Sequence, residues 1–186
     1  MLRVISGRFK GLRLKEVGKE ITRPTTDKNK EMIFNILGQY FDGGLGLDLF
    51  AGSGAIGIEA ISRGISSCVF VDNSFQAIKV IKENLTKLQI NIGEEAFVIK
   101  KDVIDYLNHN NTIFDFIFMD PPYDLDLYAK AMNLIEINKL LSKNGIIILE
   151  SKKEKDIDFI SNQLVKIREV ISGITKYSFY QWEESL

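Results

Sequence analysis

Asp120-Pro121-Pro122-Tyr123 is the stretch whose residue types and order point most directly to chemistry. It follows the apolar run Phe116-Ile117-Phe118-Met119, so it lies where a buried strand ends. Proline fixes its own φ and restricts the residue before it, which pushes Asp120 and Pro121 into extended conformations and makes the tetrapeptide a stiff ledge. From such a ledge the Asp120 carboxylate and the Pro121 carbonyl can accept both hydrogens of a planar NH2 group and draw its lone pair toward an electrophile. Asp120 can also take up the proton as the reaction proceeds. Pro122 stiffens the ledge further, and Tyr123 offers a flat face to a base, a contact worth roughly 1–3 kcal/mol in single-stranded recognition.

A second constellation lies upstream. Gly52-Ser53-Gly54-Ala55-Ile56-Gly57 has the spacing G-x-G-x-x-G, and Asp72 stands twenty residues after Gly52, where a ribose-binding acid belongs. That spacing alone suggests a dinucleotide. Asp48, at the end of the run feeding the loop, argues otherwise, because a carboxylate there disfavours a pyrophosphate and attracts an ammonium or a sulfonium. Asp48, Asp72, Asp102 and Asp120 all fall at or just beyond the ends of apolar runs. Ligands of open α/β sheets bind outside those carboxyl ends. Any one of the four could simply cap the next helix. Together with the ledge they describe a crevice for a cationic ligand that carries hydroxyls.

Other chemistries are excluded by counting. The chain has one cysteine, Cys68, and one histidine, His109, too few for a Cys/His zinc cluster or for a triad that needs two such partners. No metal is expected. Methylation at a pyrimidine ring carbon would want a thiolate, and Cys68 sits inside an apolar run as inert core. The 186 residues are 45% hydrophobic and 26% charged, an ordinary globular composition long enough for one domain with a real core. No apolar run approaches the roughly 18 residues needed to cross a membrane, so no membrane partner and a cytoplasmic location are expected.

Net charge is −1, from 24 bases against 25 acids, yet the charge is unevenly placed. Residues 1–30 carry nine bases and three acids, a segment of +6, which leaves −7 for the remainder. Within that segment Leu2–Ser6 and Leu12–Leu14 alternate like strands around Gly7-Arg8-Phe9-Lys10-Gly11, which predicts a small hairpin with a basic tip. Arg3, Arg8, Lys10, Arg13 and Arg23 are the candidate phosphate contacts, with Phe9 placed to stack on an exposed base. Arg23-Pro24 ends the arm. Ile33, Ile36, Leu37 and Tyr40 then mark an amphipathic helix stopped by Gly43-Gly44.

From Leu45 onward short apolar runs alternate with helical patterns, the signature of a parallel sheet covered on both faces. The expected strands are Leu45–Phe50, Cys68–Asp72, Ala96–Lys100, Phe114–Asp120 and Gly145–Glu150. The clearest helix carries Ile78, Ile81, Leu85 and Leu88 on one stripe. After Glu150 a charged stretch, Lys152 to Asp156, leads a short helix. Leu164–Ile171 and Ile174–Trp182 then read as two strands turning at Ser172-Gly173, pairing antiparallel at one edge of the sheet.

These residues resemble the bacterial small-subunit ribosomal RNA guanine-N2 methyltransferases of the RsmD type over most of the chain. Arg3-Val4-Ile5-Ser6-Gly7 with Lys10-Gly11, Arg23-Pro24-Thr25-Thr26-Asp27, Asp48-Leu49-Phe50-Ala51-Gly52-Ser53-Gly54, Glu59-Ala60 with Ser62-Arg63-Gly64, and Asp120-Pro121-Pro122-Tyr123 occur in that family's order. The last is shared with many amino-methyltransferases, and the first two are much more specific. The resemblance implies a class I, Rossmann-like fold dependent on S-adenosylmethionine (SAM), with a seven-stranded, mostly parallel sheet and an antiparallel C-terminal hairpin. It implies residues 1–24 as an RNA-contacting arm and 25–186 as the methyltransferase domain. It further implies SAM as donor, S-adenosylhomocysteine as product, and transfer to the exocyclic N2 of one guanine in 16S RNA of the small ribosomal subunit or its assembly intermediate; a monomer is expected.

By the same resemblance Asp48 faces the methionine ammonium, and Phe50, Gly52, Ser53 and Gly54 form the loop over the cofactor. Asp72 would take the ribose hydroxyls, Asn73 would lie near the adenosine, Asp102 would meet the adenine amino group, and Val103 would lie beside the ring. Glu59 and Arg63, four apart, are expected to form an ion pair. The sequence departs from the family at Lys28-Asn29-Lys30, where Asn29 replaces an aliphatic residue and leaves the packing of that helix start open. The alternatives are a DNA adenine-N6 methyltransferase, a non-catalytic SAM-binding RNA assembly factor and a glutamine-modifying protein methyltransferase. The first usually needs a recognition segment for which the 48 residues between Asp72 and Asp120 leave no room. The intact ledge argues against the second. The third leaves the basic arm without a role.

Overall fold

A computed structural model describes residues 2–18, 26–121, 125–155, 161 and 163–183. Arg23, Pro122, Tyr123 and the short helix expected beyond Asp156 lie outside these residues. The element order is α1 (Asp27–Leu37), β1 (Leu45–Leu49), α2 (Ala55–Ser62), β2 (Ser67–Asp72), α3 (Phe75–Lys87), β3 (Ala96–Lys100), α4 (Val103–Asn108), β4 (Phe114–Met119), α5 (Leu125–Ile137), β5 (Leu141–Lys152), β6 (Leu164–Ser172) and β7 (Thr175–Trp182). The strands form one seven-stranded sheet in the order β3-β2-β1-β4-β5-β7-β6. All neighbours are parallel except β5 with β7 and β6 with β7, so the C-terminal hairpin is antiparallel as expected.

At the centre of the sheet both faces are buried, which is why β1, β2 and β4 read as apolar runs. On one face Phe70, Phe116, Phe118, Ile148 and Phe179 pack with Ile33 and Phe34 of α1, Ile58 and Ile61 of α2, and Ile81 and Leu85 of α3. On the other, Leu47, Leu49, Ile117, Met119 and Leu149 pack with Val103 and Leu107 of α4 and with Tyr128, Met132 and Ile135 of α5. Among the described residues no helix is long and apolar enough to cross a membrane.

Several boundaries differ from the sequence reading. α1 ends at Leu37 because Gly38 leaves the helix at φ 108°, so Tyr40 falls off the stripe and is exposed, and Gly43-Gly44 do not stop the helix. Phe50, at φ 57°, stands beyond the end of β1. β5 begins at Leu141, and its pairing with β4 carries an irregularity between Phe114 and Phe116. Asn29 packs well: it is buried, its Nδ2 donates to the Tyr177 hydroxyl at 3.0 Å, and its Oδ1 accepts from Ser172 Oγ at 2.6 Å. A polar tie from α1 to the C-terminal hairpin thus stands at the position where the resemblance leads one to expect an aliphatic residue.

The arm is a looser hairpin than two strands. Val4 N donates to Leu12 O, Gly11 N to Val4 O and Leu14 N to Leu2 O, each at 2.9 Å, with a single bridge between Arg3 and Arg13 and one 3-10 turn over Gly7–Phe9. Leu2, Val4 and Leu14 join the same core as Ile33 and Phe34. Gly7 lies so close to α2, at φ 77°, that a Cβ there would sit 1.8 Å from the Ser62 carbonyl oxygen. The arm is fastened by Glu59. Its carboxylate accepts from Ile5 N and Ser6 N at 2.9 Å each and from Arg63 Nε at 2.9 Å, so the expected ion pair exists and is buried. Lys30 Nζ lies 3.6 Å from the same group and donates to the Arg3 carbonyl.

Candidate active site

β1 leads to β2 on one side of the sheet and β4 leads to β5 on the other, so the topology switches between the neighbours β1 and β4. In an open α/β sheet that point opens a crevice at the carboxyl ends. Asp48 lies next to last in β1, and Asp120 follows the last residue of β4.

Asp48 is 2% exposed. Its Oδ2 accepts from Gly57 N, at the third position of α2, at 3.0 Å. α2 starts on Gly54, whose lack of a side chain leaves the helix without an N-cap acceptor of its own, and the strand aspartate supplies one. Burial pushes the Asp48 carboxyl up to about 8, the Gly57 N–H opposing and the charges of Asp72 and Asp120 adding to the rise. A group so placed binds a proton when the protein folds, whereas the unfolded chain is ionised above the ordinary carboxylate range. Stability contributed here is therefore lost as pH rises from about 4 toward about 8. Asp48→Asn, which keeps an acceptor for Gly57 N, is expected to stabilise the ligand-free protein by on the order of 2 kcal/mol at pH 8 and to flatten this dependence. Denaturant unfolding at pH 6 and pH 8 measures it; a less stable variant at pH 8 would refute it.

The loop between β1 and α2 turns on Gly52 (φ 54°) and Gly54 (φ 74°), values that favour glycine. A Cβ at Gly52 would meet only the Phe50 carbonyl, at 3.9 Å, so the space above it is open. Asp72 holds the loop down: its Oδ2 accepts from Gly52 N at 2.9 Å and its Oδ1 from Ser74 N at 2.8 Å. Asn73, beside it, is exposed. Asp102 caps α4, its Oδ1 accepting from Asp105 N at 3.1 Å, and Val103 behind it is buried. Asp48, Asp72 and Asp102 each satisfy a backbone amide and still have lone pairs to offer.

Asp120 is half-buried, and burial pushes its carboxyl up to about 7. Pro121 is buried, with its carbonyl 3.5 Å from the Tyr128 hydroxyl. Tyr128 is fully buried, and the same hydroxyl donates to the Glu150 carbonyl at 2.8 Å. Tyr128, Glu150 and Tyr177 all border Asp120 and Pro121, and the sequence alone assigns none of them a role there. Nor does it single out Asn84, whose Nδ2 donates to the Ser53 and Lys15 carbonyls at 3.0 Å each and so joins the glycine loop to the arm. Its position gave a signal: a polar residue between Ile81 and Leu85 on the buried stripe of α3.

The candidate phosphate contacts Arg3, Arg8, Lys10 and Arg13 are all exposed. Arg3 Nε lies 2.7 Å from Asp27 Oδ2, and Arg8 pairs with Glu95 while its guanidinium covers the Phe9 ring at 4.6 Å. Phe9 packs against the core rather than standing alone at the tip. Two other bases of the first 30 residues are engaged with the body: Lys15 with Glu83, and Lys30, which is wholly buried. The segment therefore offers less charge to solvent than its count suggests.

Residues 2–181 match the family model described as "Conserved hypothetical protein 95". The chain is 44% identical to "Putative rRNA methyltransferase YlbH" of Bacillus subtilis over 97% of this chain and 98% of that protein. It is 35% identical to "Ribosomal RNA small subunit methyltransferase D" of Haemophilus influenzae over 97% and 93%. Among solved structures, "Putative methyltransferase yhhF" from Escherichia coli superposes with a TM-score of 0.86 at 30% identity, covering 98% of each chain.

Proposed function

We propose that this chain, which belongs to the ribosomal RNA small subunit methyltransferase D family, methylates the exocyclic N2 amine of one guanine in the 16S RNA of the small ribosomal subunit, with SAM as donor. The observation that carries this reading is the placement of Asp48 and Asp120 at the carboxyl ends of the adjacent strands β1 and β4, where Asp48 pairs with Phe118 two residues before Asp120, with an open glycine turn beside Asp48.

The residues fit SAM. Asp48 is a buried carboxyl whose ionisation a nearby cation would favour, which suits the methionine ammonium. Gly52, Ser53 and Gly54 admit the cofactor's approach, and Phe50 completes the turn. Asp72 suits the ribose hydroxyls, Asn73 the adenosine, Asp102 the adenine amino group and Val103 the ring face. When bound, SAM supplies an activated methyl group on a sulfonium.

The chain's own work is positioning and proton handling. Asp120 and the Pro121 carbonyl accept the two N–H bonds of the amine and aim its lone pair into the crevice. Asp120, near 7, is half ionised around neutrality and can hold at its carboxylate the proton that N-methylation releases. Neither a covalent intermediate nor a thiolate is needed, and Cys68 is fully buried within β2. Pro122 and Tyr123 extend the ledge in the sequence, Tyr123 as a stacking face for the base.

Labelled methyl transfer to unmethylated small subunits, free 16S RNA and duplex DNA, followed by nucleoside mass spectrometry, tests the proposal. N2-methylguanine in RNA is expected. N6-methyladenine on DNA, or no transfer, would overturn it. Arg3, Arg8, Lys10, Arg13 and Arg23 form the proposed RNA handle. Neutralising Arg8 and Lys10 together is expected to weaken RNA binding and lower the slope of log affinity against log salt by about 1 to 2. An unchanged slope would remove the arm tip from the RNA surface.

A further inference from the structure

The register of the sheet places an additional acceptor beside the ledge. Met119 of β4 pairs with Leu149 of β5, so the next residues, Asp120 and Glu150, stand side by side at the carboxyl edge. Glu150 in turn pairs with Tyr177 of β7. Phe118, Ile148, Tyr177 and Phe179 share one sheet face, and strand alternation puts Asp120 and Glu150, two residues on from Phe118 and Ile148, over that same face.

Glu150 is held from both ends. The Tyr177 hydroxyl donates to its carboxylate, and burial together with the charges of Glu150 and Asp120 pushes that phenol well above its ordinary range, which keeps it a donor. Asn29 Nδ2 donates to the same hydroxyl at 3.0 Å, and Ser172 Oγ donates to Asn29 Oδ1 at 2.6 Å, so the orientation is anchored in α1 and the hairpin. Behind the strand ends, the Tyr128 hydroxyl donates to the Glu150 carbonyl and lies 3.5 Å from that of Pro121. One buried side chain thus spans both backbones.

When both carboxyls are ionised, the row Asp120 carboxylate, Pro121 carbonyl, Glu150 carboxylate presents acceptors only. The Watson–Crick edge of guanine presents the matching run of donors, the two hydrogens of N2 followed by N1–H. Adenine places a lone pair at N1 next to its amine, which would face a carboxylate across the same gap. We infer that Glu150, oriented by Tyr177, accepts the guanine N1–H and so selects guanine over bases that offer a lone pair at N1. The inference rests on the guanine-N2 reading above and adds the residue that enforces it.

The test uses the full-length protein and small subunits reconstituted with 16S RNA carrying 2,6-diaminopurine at the methylated guanosine. That base keeps the N2 amine but has a lone pair at N1. The wild-type protein is expected to methylate it with kcat/KM roughly 10 to 100-fold below guanine. Glu150→Gln can turn an amide N–H toward N1, so its preference for guanine is expected to shrink at least about tenfold, while SAM affinity and melting temperature stay near wild type. Tyr177→Phe is expected to lower kcat/KM on guanine without changing SAM affinity. Equal use of both bases by the wild type, or an unchanged preference in Glu150→Gln, would overturn the role of Glu150 even if guanine N2 is the target. A wild type that methylates no guanine N2 at all would instead overturn the underlying reading.

Discussion

Asp120→Ala is expected to lower turnover by about three orders of magnitude while leaving SAM affinity within a few fold. The size follows from what the side chain would supply in the proposed transfer: an acceptor at the end of β4 and a place for the departing proton, functions worth roughly 10²- to 10⁴-fold in enzymes generally. Asp120→Asn separates them, because the amide keeps an acceptor oxygen but takes no proton. The carboxyl is pushed up to about 7, so activity of the wild type is expected to rise with pH between about 6 and 8 as Asp120 ionises, and the rise should vanish in Asp120→Asn. Single-turnover rates with pre-bound SAM, alongside direct SAM titration, check both. A large loss of SAM affinity in Asp120→Ala would mean that the residue holds the cofactor instead.

Glu59→Ala is expected to cost about 3–5 kcal/mol of folding stability, a melting temperature lower by roughly 10 °C. Glu59 is fully buried, as is Lys30, and Arg63 is nearly so. Removing the carboxylate strands two cations and two amide N–H groups, those of Ile5 and Ser6, away from water. Burial already pushes the Lys30 ammonium below its ordinary value, with Glu59 as the main opposing charge. Lys30 is therefore expected to shed its proton in the variant, making its unfolding more pH-dependent above neutrality than that of the wild type. Replacing Glu59, Lys30 and Arg63 together by Met should recover the part of the loss due to the stranded cations but not the part due to the Ile5 and Ser6 N–H groups, which still lack an acceptor. Thermal and urea unfolding decide it. A loss below 1 kcal/mol for Glu59→Ala would show that the cluster is not dry.

The parts of this architecture that the sequence made legible are those where a local pattern had one physical reading. The strands β1, β2 and β4 are buried on both faces, so each appears as a short apolar run, and the glycine loop is fixed by backbone stereochemistry at its own positions. The resemblance to a family supplied what local pattern lacks, namely the cofactor and the RNA target. Residues acting across long separations stayed hidden. Tyr177 and Asn29 meet across 148 positions, and Glu59 serves Ile5 and Ser6 across more than 50. Asn29 looked like a flaw in the pattern because its partner is a tyrosine hydroxyl on a distant strand. The charge asymmetry of the first 30 residues was visible, but its partial neutralisation by Glu59, Glu83 and Glu95 depended on which body residues the segment packs against.

The strand order β5-β7-β6 carries a consequence for how the chain reaches this fold. β6 is made before β7 yet has no place on the sheet without it, because β7 lies between β6 and β5. During synthesis β5 remains an open edge, able to pair with a stray strand, until the hairpin forms and docks as a unit. Tyr177 travels with that hairpin, so the side chain that orients Glu150 arrives at the final closure. If Glu150 selects the base as inferred above, a partly made protein whose hairpin has not docked lacks the side chain that orients it.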